Sequence, residues 1–312
     1  MKLTKLIAVT VALSLTIFAG AVQATPVTLT RETTNPGWQS VAVDPATGKV
    51  YFRNGYFNNT AVTVYNNVSA FEAGTPSGSL NLANGGYWGT YFAVKNGVLF
   101  GRDSTDLVRG FPADARVSAW DTTTGNKIAG PVTIPGMGGV NGVDTYNWGG
   151  FSGVNINQDS TGLYVAGGVL NVNTWQVTKI DQSLNVLSTT TVSGASEGYG
   201  FVINGIYFAS SNYNSNTIDI RVDLTSGVQT LVNYTLTGGP GNQYWQNASY
   251  DYASDTLRLG SQGSGVYMVS NASTAFNAPT TTQGSGVPAP GALALLGLGL
   301  LGLGGIRRKR AA

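Results

Sequence analysis

The sequence predicts an all-β protein: a β-propeller-like ring of about five four-stranded blades, with a signal peptide before it and a transmembrane helix after it. Three observations lead to this prediction. Short apolar strands recur in similar units through the middle of the chain. The first residues have the basic and then apolar pattern of an export signal. The last residues form an apolar stretch that a cationic cluster ends.

The N-terminal segment has the composition of a secretory signal peptide. Lys2 and Lys5 precede an apolar run from Leu6 to Ala21, and the run is followed by Val22-Gln23-Ala24. Small residues at the third-last and last positions suit a signal peptidase, so we expect cleavage after Ala24 and a signal peptide over residues 1–24. The alternative is an uncleaved membrane anchor.

The next segment repeats one arrangement five times: a short strand, a polar turn and a second apolar strand. The second strands open at Val50-Tyr51-Phe52, Val98-Leu99-Phe100, Leu163-Tyr164-Val165, Ile206-Tyr207-Phe208 and Leu257-Arg258-Leu259. Two of the turns, Asn96-Gly97 and Asn204-Gly205, carry the dipeptide that type I′ hairpins favour, because both central residues need a positive φ. Each unit is therefore predicted to contain a hairpin.

A third and a fourth strand follow each hairpin, and four strands with a period of about 45–60 residues are typical of propeller blades. The predicted fourth strands include Val132-Thr133-Ile134, Thr189 to Val192, and Leu231 to Leu236. Such sheets are apolar on both faces, so packing round a ring buries them. We assign residues 25–276 to this exported domain, and a β-sandwich or an irregular β-domain is the rival architecture.

The two ends of this domain are predicted to meet. The fifth unit has no fourth strand of its own, since residues 277–286 form a linker rich in Pro, Thr, Gly and Ser. Val27-Thr28-Leu29-Thr30 lies where a fourth strand would precede the first unit. We therefore expect Val27–Thr30 to pair with Val266–Val269 and close the ring.

The C-terminal segment has the pattern of a membrane helix with a cytoplasmic stop. The stretch from Val287 to Ile306 is uncharged, and it ends in Arg307-Arg308-Lys309-Arg310. A bilayer core needs roughly 17–25 helical residues, which this stretch supplies. The prolines 288 and 290 lie near its start, where a missing N–H costs least. We place the transmembrane helix at 291–306, in contact with the lipid bilayer, with the cations on the cytoplasmic side.

This tail resembles the PEP-CTERM sorting signal over residues 287–312. The resemblance rests on a Pro-x-Pro motif, a helix rich in Gly and Leu and a terminal Arg cluster. It implies recognition by an exosortase, a membrane protease-transpeptidase of bacteria that make exopolysaccharide. Ala289 stands where the family usually has Glu. The alternative is a plain single-pass anchor. The residues of the implied sorting motif are Val287, Pro288, Ala289, Pro290, Arg307, Arg308, Lys309 and Arg310.

Composition excludes several kinds of function. The chain has no His and no Cys, so His-based triads, imidazole bases and disulfides are excluded. Of 17 cations, six belong to the signal peptide and the tail, which leaves 11 against 15 acidic residues in the exported part. That acidic balance argues against nucleic acid as a partner. The sequence predicts no cofactor and no metal ion.

Aromatic residues at the entries of the blades are the candidate ligand-stacking residues. They would lie near one rim of the central channel, where flat rings stack on sugars. The competing interpretation is that each one packs between adjacent blades, because burying an aromatic side chain is strongly favourable. The candidates are Trp38, Trp88, Trp148, Tyr199 and Trp245.

Acidic residues are interpreted mainly as turn formers, because Asp bonds the N–H groups of its own turn. Binding of Ca²⁺ is the alternative for these residues. The turn residues are Asp44, Asp121, Asp159, Asp181 and Asp223. The densest cluster, Asp103, Asp106 and Asp114, is interpreted as a solvated loop, with a glycosidase carboxylate pair as its alternative.

These observations together predict a non-enzymatic protein that is exported, anchored in the membrane and then displayed at or released from the cell surface, in association with exopolysaccharide. Two alternatives remain open. One is a lectin-like propeller that binds carbohydrate through exposed blade-entry aromatics. The other is a propeller glycosidase or lyase, which requires three or more acidic residues at one mouth of the channel.

Overall fold

Five β-sheets make up the part of the chain that the computed structural model describes, namely residues 24–33, 39–54, 61–83, 92–103, 115–137, 155–169, 174–195, 200–212, 215–240, 245–261 and 263–277. Within these ranges, no helix has both the length and the apolar character that crossing a membrane requires. Residues 1–23 of the predicted signal peptide, the linker from residue 278 on and the predicted membrane helix at 291–306 lie outside them.

The described chain starts with two short strands and then forms the blades in order. The opening strands are β1 (Thr25–Thr28) and β2 (Thr30–Thr33). Blade 1 comprises β3 (Gln39–Val43), β4 (Val50–Asn54), β5 (Ala61–Tyr65), helix α1 (Val68–Glu72) and β6 (Gly78–Asn81). Blade 2 comprises β7 (Phe92–Lys95), β8 (Val98–Arg102), β9 (Arg116–Asp121) and β10 (Lys127–Thr133).

The remaining blades follow the same plan. Blade 3 comprises β11 (Asn155–Asp159), β12 (Gly162–Gly168), β13 (Trp175–Ile180) and β14 (Val186–Val192). Blade 4 comprises β15 (Gly200–Ile203), β16 (Ile206–Ala209), β17 (Thr217–Asp223) and β18 (Gln229–Thr237). Blade 5 comprises β19 (Trp245–Asp251), β20 (Thr256–Ser261), β21 (Gly265–Ser270) and helix α2 (Ala272–Asn277). The five-bladed propeller prediction is therefore confirmed.

The apolar core of the propeller is divided among the junctions between blades. Five buried clusters are present in the described part, and each contains side chains from two consecutive blades. The cluster between blades 5 and 1 joins Val266 to Phe52 and Phe71. Because each sheet is covered on both faces by its neighbours, every junction between blades contributes to the hydrophobic stabilisation of the ring.

The ring closes through the N-terminus, but in a different register from the one predicted. Of the predicted segment only Thr30 pairs with blade 5, where β2 runs antiparallel to β21 with Thr30 opposite Met268. Val27 and Thr28 belong to β1, which adds to blade 4 as a fifth strand parallel to β18. The reason is packing: Val27 and Leu29 both fill the cluster between blades 4 and 5. We call β1 and β2 together the N-terminal clasp.

The hairpin turns follow the sequence with one exception. Asn96, Gly97, Asn204 and Gly205 all have positive φ, as type I′ turns require. The turn after β13 runs from Asp181 to Asn185, and because Asn tolerates the left-handed region the sequence predicts Asn185 there; this prediction is wrong. Leu184 occupies that region instead, with φ 68°, because the turn closes one residue earlier: the Leu184 N–H donates to the Asp181 carbonyl.

The sequences Val64–Phe71 and Val269–Phe276, in the first and fifth units, are similar, and they form the same local structure. In both units a short helix follows the third strand, α1 after β5 and α2 after β21. The Asn67 side chain accepts the Ala70 N–H at 2.8 Å and so caps α1. In α2, Asp255 accepts the Ser273 N–H at the same distance. Phe71 and Phe276 are the buried residues that fix these helices to their clusters.

Candidate functional site

The predicted sorting residues lie outside the described residues. This holds for Val287, Pro288, Ala289, Pro290 and the cluster Arg307 to Arg310. Four of the five candidate stacking aromatics, Trp38, Trp88, Trp148 and Tyr199, also lie outside.

Trp245 is the one candidate aromatic that the structure describes, and it has no exposed surface. Its ring packs edge-on against Tyr267 with centroids 5.7 Å apart. The indole N–H donates to Asn216 Oδ1 at 3.3 Å. These contacts correspond to the packing interpretation of this position, and a ligand does not reach the ring in this arrangement.

Carboxylates at the ends of inner strands hold neighbouring blades together. Asp44 accepts the Ala46 N–H in its own turn, and it also accepts the N–H groups of Asn96 and Gly97 in blade 2. Asp159 repeats this between blades 3 and 4: it bonds its own turn and accepts the Gly205 N–H at 2.6 Å. We call Asp44 and Asp159 the inter-blade carboxylates. Both are fully buried.

Asp121, Asp181 and Asp223 have a simpler role in the outer turns. Each carboxylate accepts N–H groups of the following residues, at 2.8–2.9 Å. These bonds lower the pKa of all three groups, mainly through Thr124, Asn185 and Ser226 respectively. The turn-forming prediction is confirmed for all five aspartates.

Acidic groups converge at one end of the inner strands. Burial raises the pKa of Tyr252, and the nearby charges of Asp44, Asp251 and Asp159 raise it further. The Lys95 ammonium lies 5.5 Å from the centroid of the Tyr252 ring, and it donates to the Asp159 carbonyl at 3.3 Å. Both oxygens of each of these three carboxylates already accept hydrogen bonds from turns. These three carboxylates therefore stabilise the turns at this end of the inner strands.

Polar side chains also line the inner strands themselves. Ser40, Asn155, Asn157 and Gln158 are at most 2% exposed. The Asn155 amide donates to the Gly200 carbonyl and the Gln158 amide to the Val43 carbonyl, both at 3.0 Å. Both polar atoms of the Asn157 side chain lack a partner among the described residues. Buried amides of this kind are normally satisfied by ordered water or a ligand. The sequence of β11, Asn-Ile-Asn-Gln-Asp, did not indicate that these polar side chains are buried.

No group of three or more His, Cys, Asp or Glu residues suited to holding a metal ion occurs in the described ranges.

Asp103 was predicted to lie in a solvated loop, but the residue is only 1% exposed and its carboxylate forms an ion pair with Lys127 at 2.5 Å. The Ser118 hydroxyl donates to the same carboxylate oxygen. Asp106 and Asp114 lie outside the described residues.

A groove of about 390 Å³ lies at the closing junction of the ring. It is lined by Arg31, Glu32, Thr33, Tyr65, Phe71, Glu72, Ala73 and Gly74. The clasp forms one wall and α1 forms the other. The Arg31 guanidinium donates to the Ser264 carbonyl at 2.8 Å. The Thr33 hydroxyl is buried without a partner among the described residues.

Beneath this groove a buried ion pair joins the clasp to blade 5. Arg258 Nε donates to both Glu32 oxygens at 2.9 and 3.0 Å. The Glu32 side chain has no exposed area and that of Arg258 has 3%. Burial raises the pKa of Glu32, Arg258 counteracts this, and Glu72 adds to the rise. The two residues are too far apart in sequence for any local pattern to predict the pair.

The model of the olfactomedin-like domain family matches residues 20–264 of this chain. The chain belongs to the olfactomedin-like domain family. The family match covers the clasp, blades 1 to 4 and most of blade 5 of this olfactomedin-like domain. Among curated proteins, no sequence match was found.

Two solved structures are similar to this olfactomedin-like domain. The glutaminyl cyclase of Myxococcus xanthus is 11% identical with a TM-score of 0.46, and the similarity covers 80% of this chain and 99% of that one. Hydrazine synthase of Kuenenia stuttgartiensis is 13% identical with a TM-score of 0.42, covering 71% of this chain and 60% of that one.

Proposed function

We propose that this olfactomedin-like propeller is exported, anchored through its C-terminal helix, sorted by an exosortase-type enzyme and displayed at the cell surface or released from it. The observation that carries the proposal is the position of the first described strand. β1 begins at Thr25, the residue after the predicted cleavage site. Removal of residues 1–24 therefore leaves the clasp intact, as an exported protein requires.

The proposed role at the surface is non-enzymatic association with exopolysaccharide. Two features support it. The chain has neither His nor Cys. The buried aspartates that the structure describes at the inner-strand ends have turn N–H groups as partners. A rigid ring with its acidic groups engaged in this way suits a binding or scaffold role better than proton transfer.

Substitutions in the tail test the sorting proposal. Alanine at both Pro288 and Pro290, or at all four of Arg307–Arg310, should leave the protein in the membrane fraction and reduce its surface release. Pro279→Ala is the matched control, because it makes the same change in the linker outside the motif. The measurement is immunoblotting of cytoplasmic, membrane and medium fractions. Release at the wild-type level by both tail variants would refute the sorting step.

A carbohydrate-binding role is the second candidate, and the groove at the closing junction favours it. Arg31, Thr33 and Glu72 line the groove and offer the donors and acceptors that sugar hydroxyls need. Glu72→Ala should weaken binding of exopolysaccharide fragments in calorimetry, while Lys49→Ala, outside the groove, should not. Equal affinity in both variants would remove this groove as the binding site.

A further inference from the structure

The large apolar side chains that the described part exposes lie on three consecutive blades. They belong to the fourth strands of blades 2, 3 and 4, or to the residue just before such a strand. They are Ile128, Val186, Leu187, Val228 and Leu231, which are 41–78% exposed. The outer region of blades 5 and 1 instead carries Arg31 and Glu72 of the groove. In the described part, exposed large apolar side chains are thus confined to blades 2, 3 and 4.

Most outer edges of the five sheets carry a recognisable form of protection. β1 is the outermost strand of blade 4 and β2 that of blade 5, and each has only four residues. β1 contains Pro26, and β2 carries Arg31 and Glu32. β10 contains Pro131, which has no N–H to donate, and its pairing with β9 shifts register twice. β6 is only four residues long. Short edges, prolines, charged residues and bulges are the usual means of preventing unwanted strand pairing.

β14 of blade 3 has much less protection. Its one bulge lies at the start, at Leu187, and Ser188–Val192 then pairs with β13 in unbroken register. The strand reads Val-Leu-Ser-Thr-Thr-Thr-Val, with no charge and no proline. Its first four residues are exposed, and no described strand pairs with its outer edge. A row of backbone N–H and C=O groups on such a strand is a template for another strand.

The end of β14 is also joined to the neighbouring apolar side chains of blade 4. Gln229 Oε1 accepts the Ser193 N–H at 3.0 Å, and Gln229 Nε2 donates to the Ser193 carbonyl at 2.8 Å. Val228 and Leu231 flank Gln229 in sequence, so they lie close to this end of the strand. The free edge therefore has apolar side chains at both of its ends.

We propose that the β14 edge is a self-association site, where a second copy of this chain pairs its own β14 in antiparallel orientation. A second copy fits because β14 carries no charge, so two identical edges meet without repulsion. Antiparallel pairing also separates the two Asp181 carboxylates, which parallel pairing would bring together. Cross-strand Ser and Thr pairs are favourable. The interface is isologous, which gives a closed dimer.

The size of the edge sets the strength of this dimer. A single strand pairing falls below the roughly 1,200 Å² of a stable interface, so the association is weak. We expect a dissociation constant on the order of 10 µM to 1 mM. Crowding of copies on one surface would then populate the dimer.

The test uses residues 25–280, because 24–280 forms one compact unit. Sedimentation equilibrium up to about 1 mM protein should show a reversible monomer–dimer equilibrium. Thr191→Lys places a charge on the β14 edge and should weaken the dimer at least about tenfold. Thr133→Lys makes the same change on β10 of blade 2 and should leave the dimer unchanged.

A second matched pair removes dependence on a single variant. Leu187→Ser on β14 should weaken the dimer, whereas Ile128→Ser on β10 should not. Circular dichroism and thermal melts identify any variant that fails to fold. The test of the dimer then uses the matched pair in which both variants fold. A wild-type monomer at about 1 mM would overturn the proposal. So would a dimer that Thr191→Lys and Leu187→Ser leave intact, or one that the β10 variants weaken equally.

Discussion

Leu184 combines a left-handed backbone with a buried side chain. Its φ is 68° and its side chain is 1% exposed in the cluster between blades 2 and 3. A non-glycine residue there costs about 1–2 kcal/mol. The structure retains the leucine because its burial offsets that cost, since removing a buried leucine side chain costs about 2–5 kcal/mol.

This balance predicts that, at position 184, the glycine variant is more stable than the alanine variant, which reverses the usual order. Leu184→Gly should be about 1 kcal/mol more stable than Leu184→Ala, because only glycine adopts positive φ without strain. Leu163 is the control: it lies in the same cluster, 1% exposed, within strand β12. There, Gly should be the less stable substitution. Urea denaturation measures all four free energies of unfolding, and the same order at both sites would contradict the explanation.

Neutralising Arg258 and neutralising Glu32 should reduce the stability of the fold by different amounts. Arg258 retains Asp251 at 4.0 Å when Glu32 is removed, whereas Glu32 has no second cation within ion-pair distance in the described residues. Arg258→Gln should therefore cost about 3–5 kcal/mol at pH 7. Glu32→Gln should cost less, because burial already raises the pKa of Glu32 and favours its neutral form.

The pH dependence of Arg258→Gln follows from the same shift. Without Arg258 the pKa of Glu32 rises further, so the folded state binds a proton more readily than the unfolded state. Lowering the pH from 7 towards 5 should then restore part of the lost stability. Denaturation at several pH values measures this. A loss that stays constant, or grows, as the pH falls would contradict an uncompensated Glu32 carboxylate.

At the scale of elements, the inter-blade carboxylates link hairpins that the sequence treats as separate. Asp159→Asn should destabilise the fold by about 2–4 kcal/mol, because charge-assisted bonds in two blades are weakened and a buried group is left poorly paired. Asp181→Asn is the control, since the Asp181 carboxylate bonds only its own exposed turn. Thermal unfolding compares them, and equal effects would show that the link between blades 3 and 4 carries no stability.

The sequence predicted the elements whose signals are local. Asn-Gly turns, Asp-led turns and apolar triplets located the hairpins, and the similarity between Val64–Phe71 and Val269–Phe276 corresponded to two helices. Strand β10 was predicted too short, because Gly130-Pro131 is unusual inside a strand. The parallel addition of β1 to blade 4 could not be predicted, because no turn in the sequence connects β1 to its partner β18. The Glu32–Arg258 pair and the buried Asn157 depend on contacts between distant parts of the chain, which no spacing reveals.

At the scale of the whole molecule, the clasp determines whether the ring is closed. Leu29→Ala should cost about 2–5 kcal/mol, because Leu29 is 4% exposed in the cluster between blades 4 and 5. Hydrogen exchange should accelerate in β18 and β21 and much less in β11 and β12. The exposed Thr28→Ala is the control. A uniform loss of protection in all blades would mean that the ring opens only as a single cooperative unit.

The clasp also determines when during synthesis the ring is completed. Chains are made from the N-terminus, so β1 and β2 emerge first, yet their partners β18 and β21 are among the last strands produced. The earliest segment therefore waits, unpaired, until nearly all of the polypeptide is present. A chain truncated before Gly265 lacks β21 and offers β2 no place to dock. Closure of the ring therefore requires that synthesis has passed β21, which ends at Ser270.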